Sequence, residues 1–147
     1  MSVRIFYDGV KERISKPAGI KELVKEVVRG EYRTPGDLDF IVTTDEELLK
    51  INREFLKHDY LTDVIAFNYS WAKVVEGEIY ISYETVRENS RKYGVTVMEE
   101  FVRVMIHGVL HLCGYDDSTE ELREVMRKKE DVWIEKYFVD RWNSGTT

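Results

Sequence analysis

Apolar residues recur along the chain in two rhythms, every second residue and every third or fourth, and the switches between them lay out the elements. Val3, Ile5 and Tyr7 alternate with Arg4 and Phe6, which predicts a first strand. Pro17 opens a helix whose Ile20, Leu23, Val24, Val27 and Val28 share one face. Leu38 to Thr43 predicts a second strand. Thr44 and Glu47 stand at capping-box spacing, so a helix through Leu48, Ile51 and Phe55 follows. The short apolar run Val64 to Phe67 reads as a central strand. Glu78 to Tyr83 alternates again, with Ile79, Ile81 and Tyr83 on one side.

The C-terminal half is helical in pattern. Glu84 to Tyr93 predicts a helix that stops at Gly94. Thr96 and Glu99 make a second capping box and open a helix from Thr96 to Leu112. Its Phe101, Val102, Val104, Met105, Ile106, Val109, Leu110 and Leu112 are apolar nearly all round, as in a buried helix. Gly114 ends it. Ser118 and Glu121 supply a third capping box for a last helix, with Leu122, Val125, Met126, Trp133 and Tyr137 as its buried stripe. Interleaved strands and helices predict an α+β fold: a small mixed β-sheet packed with helices around a central buried helix. A single domain is expected over residues 1–142, with a disordered tail over 143–147.

Composition narrows the class without naming a chemistry. The 147 residues suit one domain with its own core, and 43% hydrophobic with 34% charged residues is ordinary globular usage. Cys113 is the one cysteine, which excludes a disulfide framework, and packing is its better reading. The N-terminus lacks the apolar core of a signal peptide, and no run approaches a membrane span. A cytoplasmic location is expected. The net charge of −6 argues against binding nucleic acid over the whole surface, leaving only a local basic cleft for that purpose.

The chemistry concentrates in His107-Gly-Val-Leu-His111-Leu-Cys-Gly114-Tyr-Asp-Asp117. Histidines four apart share a helical face, one turn from each other, so both imidazoles reach a single cation. Gly114 lets the chain turn back, and the loop after it can offer a third ligand. Three protein ligands leave a position open for water, as a catalytic metal requires. A buried helix also carries core histidines, but two imidazoles in so apolar a helix each need a partner. The helical signature of zinc proteases has Glu after the first His. Gly108 stands there, so the usual peptidase base is missing.

The string His107 to Asp117 resembles the signature of the YbeY family of bacterial rRNA-maturation proteins, His-Gly-x-Leu-His-Leu-x-Gly-Tyr-Asp-His. Asn52-Arg-Glu-Phe-Leu-Lys-His-Asp59-Tyr-Leu-Thr62-Asp63-Val64-Ile-Ala-Phe67 resembles the family's second motif, and Gly77-Glu-Ile-Tyr-Ile-Ser82 a third. The likeness runs from about Leu38 to about Tyr137. It implies a zinc-dependent, single-strand-specific endoribonuclease acting on ribosomal RNA of the small ribosomal subunit, in its maturation and in late quality control. It also implies metal ligands at His107, His111 and, by register, Asp117, with the adjacent Asp116 as the alternative.

Three departures from the family pattern bear on this. Asp117 replaces a histidine. Two His with one carboxylate still make a zinc set, and equally the triad of non-haem iron, with a weaker Lewis acid. Leu56 stands where the pattern has Arg, and Leu cannot contact phosphate. Arg53 and Lys57 are candidate substitutes, and His58 is a third candidate RNA contact, although a solvated surface is the plainer role of each. Leu61 replaces a proline without removing a chemical group. Two other readings stand beside the ribonuclease: a metallohydrolase on a non-RNA substrate, and a ribosome-assembly binding factor with a structural metal.

Overall fold

The computed structural model describes residues 2–56 and 64–145, with side chains to residue 139. Its elements are β1 (Val3–Tyr7), α1 (Pro17–Gly30), β2 (Thr34–Thr43), α2 (Asp45–Ile51), β3 (Val64–Asn68), β4 (Val74–Ser82), α3 (Tyr83–Tyr93), α4 (Val97–Leu112) and α5 (Glu120–Gly145). The four strands form one mixed sheet in the order β1-β2-β4-β3. β1, β2 and β4 run parallel, and β3 pairs antiparallel with β4. The α+β architecture expected from the pattern is the one observed.

The core lies between one sheet face and two helices. Leu38, Phe40 and Val42 of β2 and Val75, Ile79 and Ile81 of β4 point into it, against Ile20, Val24 and Val27 of α1 and Met105, Val109 and Leu112 of α4. α5 packs outside α4 and reaches α1. A smaller cluster of Leu48, Ile51 and Ile65, with Phe67 and Tyr80, forms where α2 covers the opposite face. Thr44 and Thr96 cap α2 and α4 as their spacing predicts, accepting from the Glu47 and Glu99 amides.

Several elements differ from the sequence reading, each for a local reason. Val64 to Phe67 belongs to an edge strand, not a central one. Its apolar run is continuous because both faces are covered: Val64 and Ala66 meet the main core, while Ile65 and Phe67 meet the α2 cluster. β2 begins four residues early, at Thr34, through an irregularity between Pro35 and Leu38 that the proline and Gly36 disguised. Tyr83 is the first residue of α3 rather than the end of a strand. α2 stops at Ile51 and passes into a π-helical turn, Asn52–Leu56, that leaves Phe55 66% exposed.

At α5 the cap is Thr119, not Ser118; the Thr119 hydroxyl accepts from the Leu122 amide at 3.2 Å. The buried stripe is Met126, Glu130, Ile134 and Tyr137, and Leu122 and Val125 are exposed. The helical backbone continues over 143–145, where a tail was expected to begin. Lys57, His58 and the residues 59–63 of the second motif lie outside the described residues.

Gly108 sets how closely α4 approaches the sheet. A Cβ there would stand 2.7 Å from Ile79 Cγ2, inside the contact distance of two carbons. Gly108→Val should therefore cost about 1–3 kcal/mol by overpacking, against only tenths gained in helix propensity. Thermal denaturation should show a midpoint lower by several degrees, and an unchanged midpoint would refute this account of the contact. The same geometry explains why a protease-like Glu has no place at this position: it would point into the sheet, away from the histidines.

Candidate metal centre

Helical phase places the two histidines. Arg103, His107 and His111 stand four apart on α4 and share its face toward α5. Gly114, at φ 103°, takes the chain out of the helix through a conformation that L side chains rarely adopt. Asn68 at the end of β3 donates to the Leu112 carbonyl at 3.2 Å and ties down the helix end. The following loop is pinned from two helices, since Lys129 lies over the Tyr115 ring and pairs with Glu31 at 3.0 Å.

The loop brings Asp117 to the histidines. Its Oδ2 is 3.3 Å from His107 Nε2 and 3.4 Å from His111 Nε2, and the two Nε2 atoms are 3.0 Å apart. His107, His111 and Asp117 offer ligand atoms that all lie within 4.8 Å of one another. Asp116 goes elsewhere: its two oxygens accept from the amide and hydroxyl of Ser118, and the hydroxyl bond first of all holds its carboxyl below the usual range.

The outer partners show what the centre is built to take. His107 Nδ1 meets Glu130 Oε2 at 2.6 Å, and His111 Nδ1 meets the Tyr115 carbonyl at 3.0 Å. A carbonyl oxygen only accepts, so His111 carries its proton on Nδ1. Glu130 also accepts from Arg103 at 3.1 Å, and with its oxygens taken as acceptors the His107 proton lies on Nδ1 as well. Both Nε2 atoms then point at each other and at the Asp117 carboxylate. Three ligand atoms that converge in this way suit a cation. Tetrahedral ligands at about 2.1 Å from a metal stand roughly 3.4 Å apart, close to the spacings here.

Glu130 and Arg103 are the functional neighbours that the sequence reading missed. Glu130 is 5% exposed in the stripe Met126, Glu130, Ile134, and an acid at a buried helical phase was its signal. Arg103 completes the arrangement by holding Glu130 and, at 2.6 Å, Asp131. A cavity of about 170 Å³ opens beside His107 and Asp117, with Tyr93, Arg123 and Arg127 among its walls. Arg53 is exposed on the π-helical turn and does not line it. Leu56, at the end of that turn, is 38% exposed. Burial pushes the Cys113 thiol up to about 11, so it stays protonated at neutral pH, as a packing residue does. Trp71 is exposed rather than packed, its indole N–H donating to Glu76.

Known proteins resemble this chain over most of its length. The profile of the family described as Endoribonuclease YbeY matches residues 9–138. An endoribonuclease YbeY of Flavobacterium psychrophilum is 46% identical over 116 residues, covering 79% of this chain and 83% of that protein. One of Chlorobaculum parvum is 39% identical over 136 residues, covering 92% and 95%. A solution structure of a Thermotoga maritima protein superposes with a TM-score of 0.65 at 28% identity, covering 97% of this chain and 93% of that one.

Proposed function

Because the chain belongs to the YbeY family of endoribonucleases, we propose that it cuts single-stranded RNA with a divalent metal, zinc foremost, held by His107, His111 and Asp117. Its substrate is ribosomal RNA of the small subunit, cut during maturation and in late quality control, and its place of work is the cytoplasm. Among the described residues no helix is long and apolar enough to cross a membrane.

The observation that carries the metal reading is the convergence of the ligand atoms of His107, His111 and Asp117 at one point. When bound, the metal supplies a Lewis acid for a phosphate oxygen and an activated water. The protein's own part is to hold the ligands in place. Glu130 fixes the His107 ring and the Tyr115 carbonyl fixes the His111 ring, so neither has to reorient. Arg123 donates to the Asp117 carbonyl at 3.2 Å and steadies the loop that delivers the third ligand.

Solvent access favours a catalytic over a structural centre. The side chains of His107, His111 and Asp117 are 25%, 27% and 36% exposed, and a structural site is closed by a fourth protein ligand. Gly108 weighs against a peptidase, because its position faces Ile79.

The test is cleavage by metal-loaded protein of single-stranded RNA, duplex RNA and a peptide panel, each with and without chelator. Cutting of single strands alone, lost with chelator and restored by zinc, is expected. Peptide cleavage without RNA cleavage would overturn the reading, as would metal-loaded protein that binds ribosomes and cuts nothing.

A further inference from the structure

We propose that the cavity beside His107 and Asp117 is a nucleotide subsite, in which Arg127 and Arg123 take one phosphate of the RNA strand and Tyr93 stacks a neighbouring base. The inference rests on the function proposed above and says how the strand is held.

Three features of the cavity support it. First, its cations are unequal. Arg103 is committed to Glu130 and Asp131. Arg123 bonds only a backbone carbonyl, which leaves its charge uncompensated, and Arg127 forms no hydrogen bond or ion pair with the described residues. Second, Arg123 and Arg127 are four apart on α5, so they lie on one side of the helix and both line the cavity. Arg103, Arg123 and Arg127 meet Glu100, Asp117 and Glu130 on the cavity walls, so a divalent metal on the proposed ligands would leave the site positive and suited to an anion. Third, Tyr93 lines the cavity from the end of α3 and is 55% exposed. Lys92 lies 5.6 Å from its ring centroid, so the aromatic surface is flanked by another cation.

Phosphate and base together define the ligand class. Arginine meets phosphate oxygens with paired donors, and an exposed ring accepts any base by stacking, without sequence preference. The cavity gives room for a phosphate and the sugar beside it, and none for a duplex. Single strands, whose backbone bends and whose bases turn outward, fit such a site. Because the cavity includes His107 and Asp117, a phosphate on Arg127 holds the strand next to the metal ligands.

The experiment compares wild type with Arg127→Ala, Arg127→Lys, Tyr93→Ala and Tyr93→Phe. Binding of a short labelled single-stranded RNA is read by anisotropy over a salt series in chelator, where nothing is cut. Metal content and the kinetics of zinc-loaded protein are measured in parallel. Arg127→Ala should lower the slope of log affinity against log salt by about 0.7, the value of one phosphate contact on a single strand. It should raise KM more than it lowers kcat and leave metal content unchanged. Arg127→Lys should keep the slope. Tyr93→Ala should weaken binding roughly tenfold at an unchanged slope, and Tyr93→Phe should restore it. Wild-type affinity, slope and KM in Arg127→Ala, with RNA still cut, would overturn the subsite alone. A wild-type chain that neither binds nor cuts RNA would overturn the function and this inference with it.

Discussion

A chain carrying His111→Ala or Asp117→Ala should purify folded and nearly free of metal. Its cleavage of single-stranded RNA should fall by more than the roughly 10–100-fold that losing an outer partner costs. The loss is large because each ligand is one of three and nothing nearby replaces it: Asp116 is turned into its turn with Ser118, and Glu130 lies behind His107. Both variants remove a partly exposed side chain, so the fold should survive. Asp117→His should behave differently. It exchanges a carboxylate for a neutral nitrogen ligand, so metal should be retained while the centre becomes one charge more positive. Elemental analysis beside RNA cleavage checks all three. Full metal content in His111→Ala would remove that residue from the proposed ligand set.

Glu130 should matter nearly as much, although it does not touch the centre. Glu130→Ala should weaken metal affinity by about 10–100-fold. It frees the His107 ring and leaves the Arg103 guanidinium with Asp131 alone. The buried hydrogen bonds also contribute to folding, so a cost of roughly 2 kcal/mol accompanies the loss. Glu130→Gln separates the two effects. Its amide oxygen can still accept from His107 Nδ1, so ring orientation and part of the metal affinity should return, while the amide cannot replace the charge that Arg103 meets. Metal titration of the three proteins checks this. Equal affinities would make Glu130 a packing residue, whatever the stability change.

The sequence made α4 and its two candidate histidine ligands legible because both lie within one helix. Four-residue spacing and the glycine after Leu112 put His107, His111 and the next loop together without knowledge of the rest of the fold. Register with the family pattern favoured Asp117 over Asp116, and the physical difference between them, that Ser118 engages Asp116, is visible only in the structure. Glu130 was hidden for a different reason. Its partner is 23 residues away, and the two meet only through the packing of α5 on α4. The apolar Leu122 and Val125 drew the predicted stripe of α5 around the helix, and a glutamate on the true stripe read as solvent-facing. Edge and centre were likewise indistinguishable in Val64 to Phe67, since pattern reports covered faces and not the number of paired neighbours.

The burial of α4 has a consequence for how the proposed ion would be taken up. Its apolar sides are occupied by α1, the sheet, α3 and α5, and Gly108 locks it against Ile79. Nothing in that scaffold depends on the histidines being ligated. Small metallo-domains whose folding is the same event as metal uptake have no such frame. On the proposed metal reading, the chain would finish folding first and be charged later, so that in a metal-poor cell it would persist as an intact, silent reserve, its output set by ion supply rather than by synthesis.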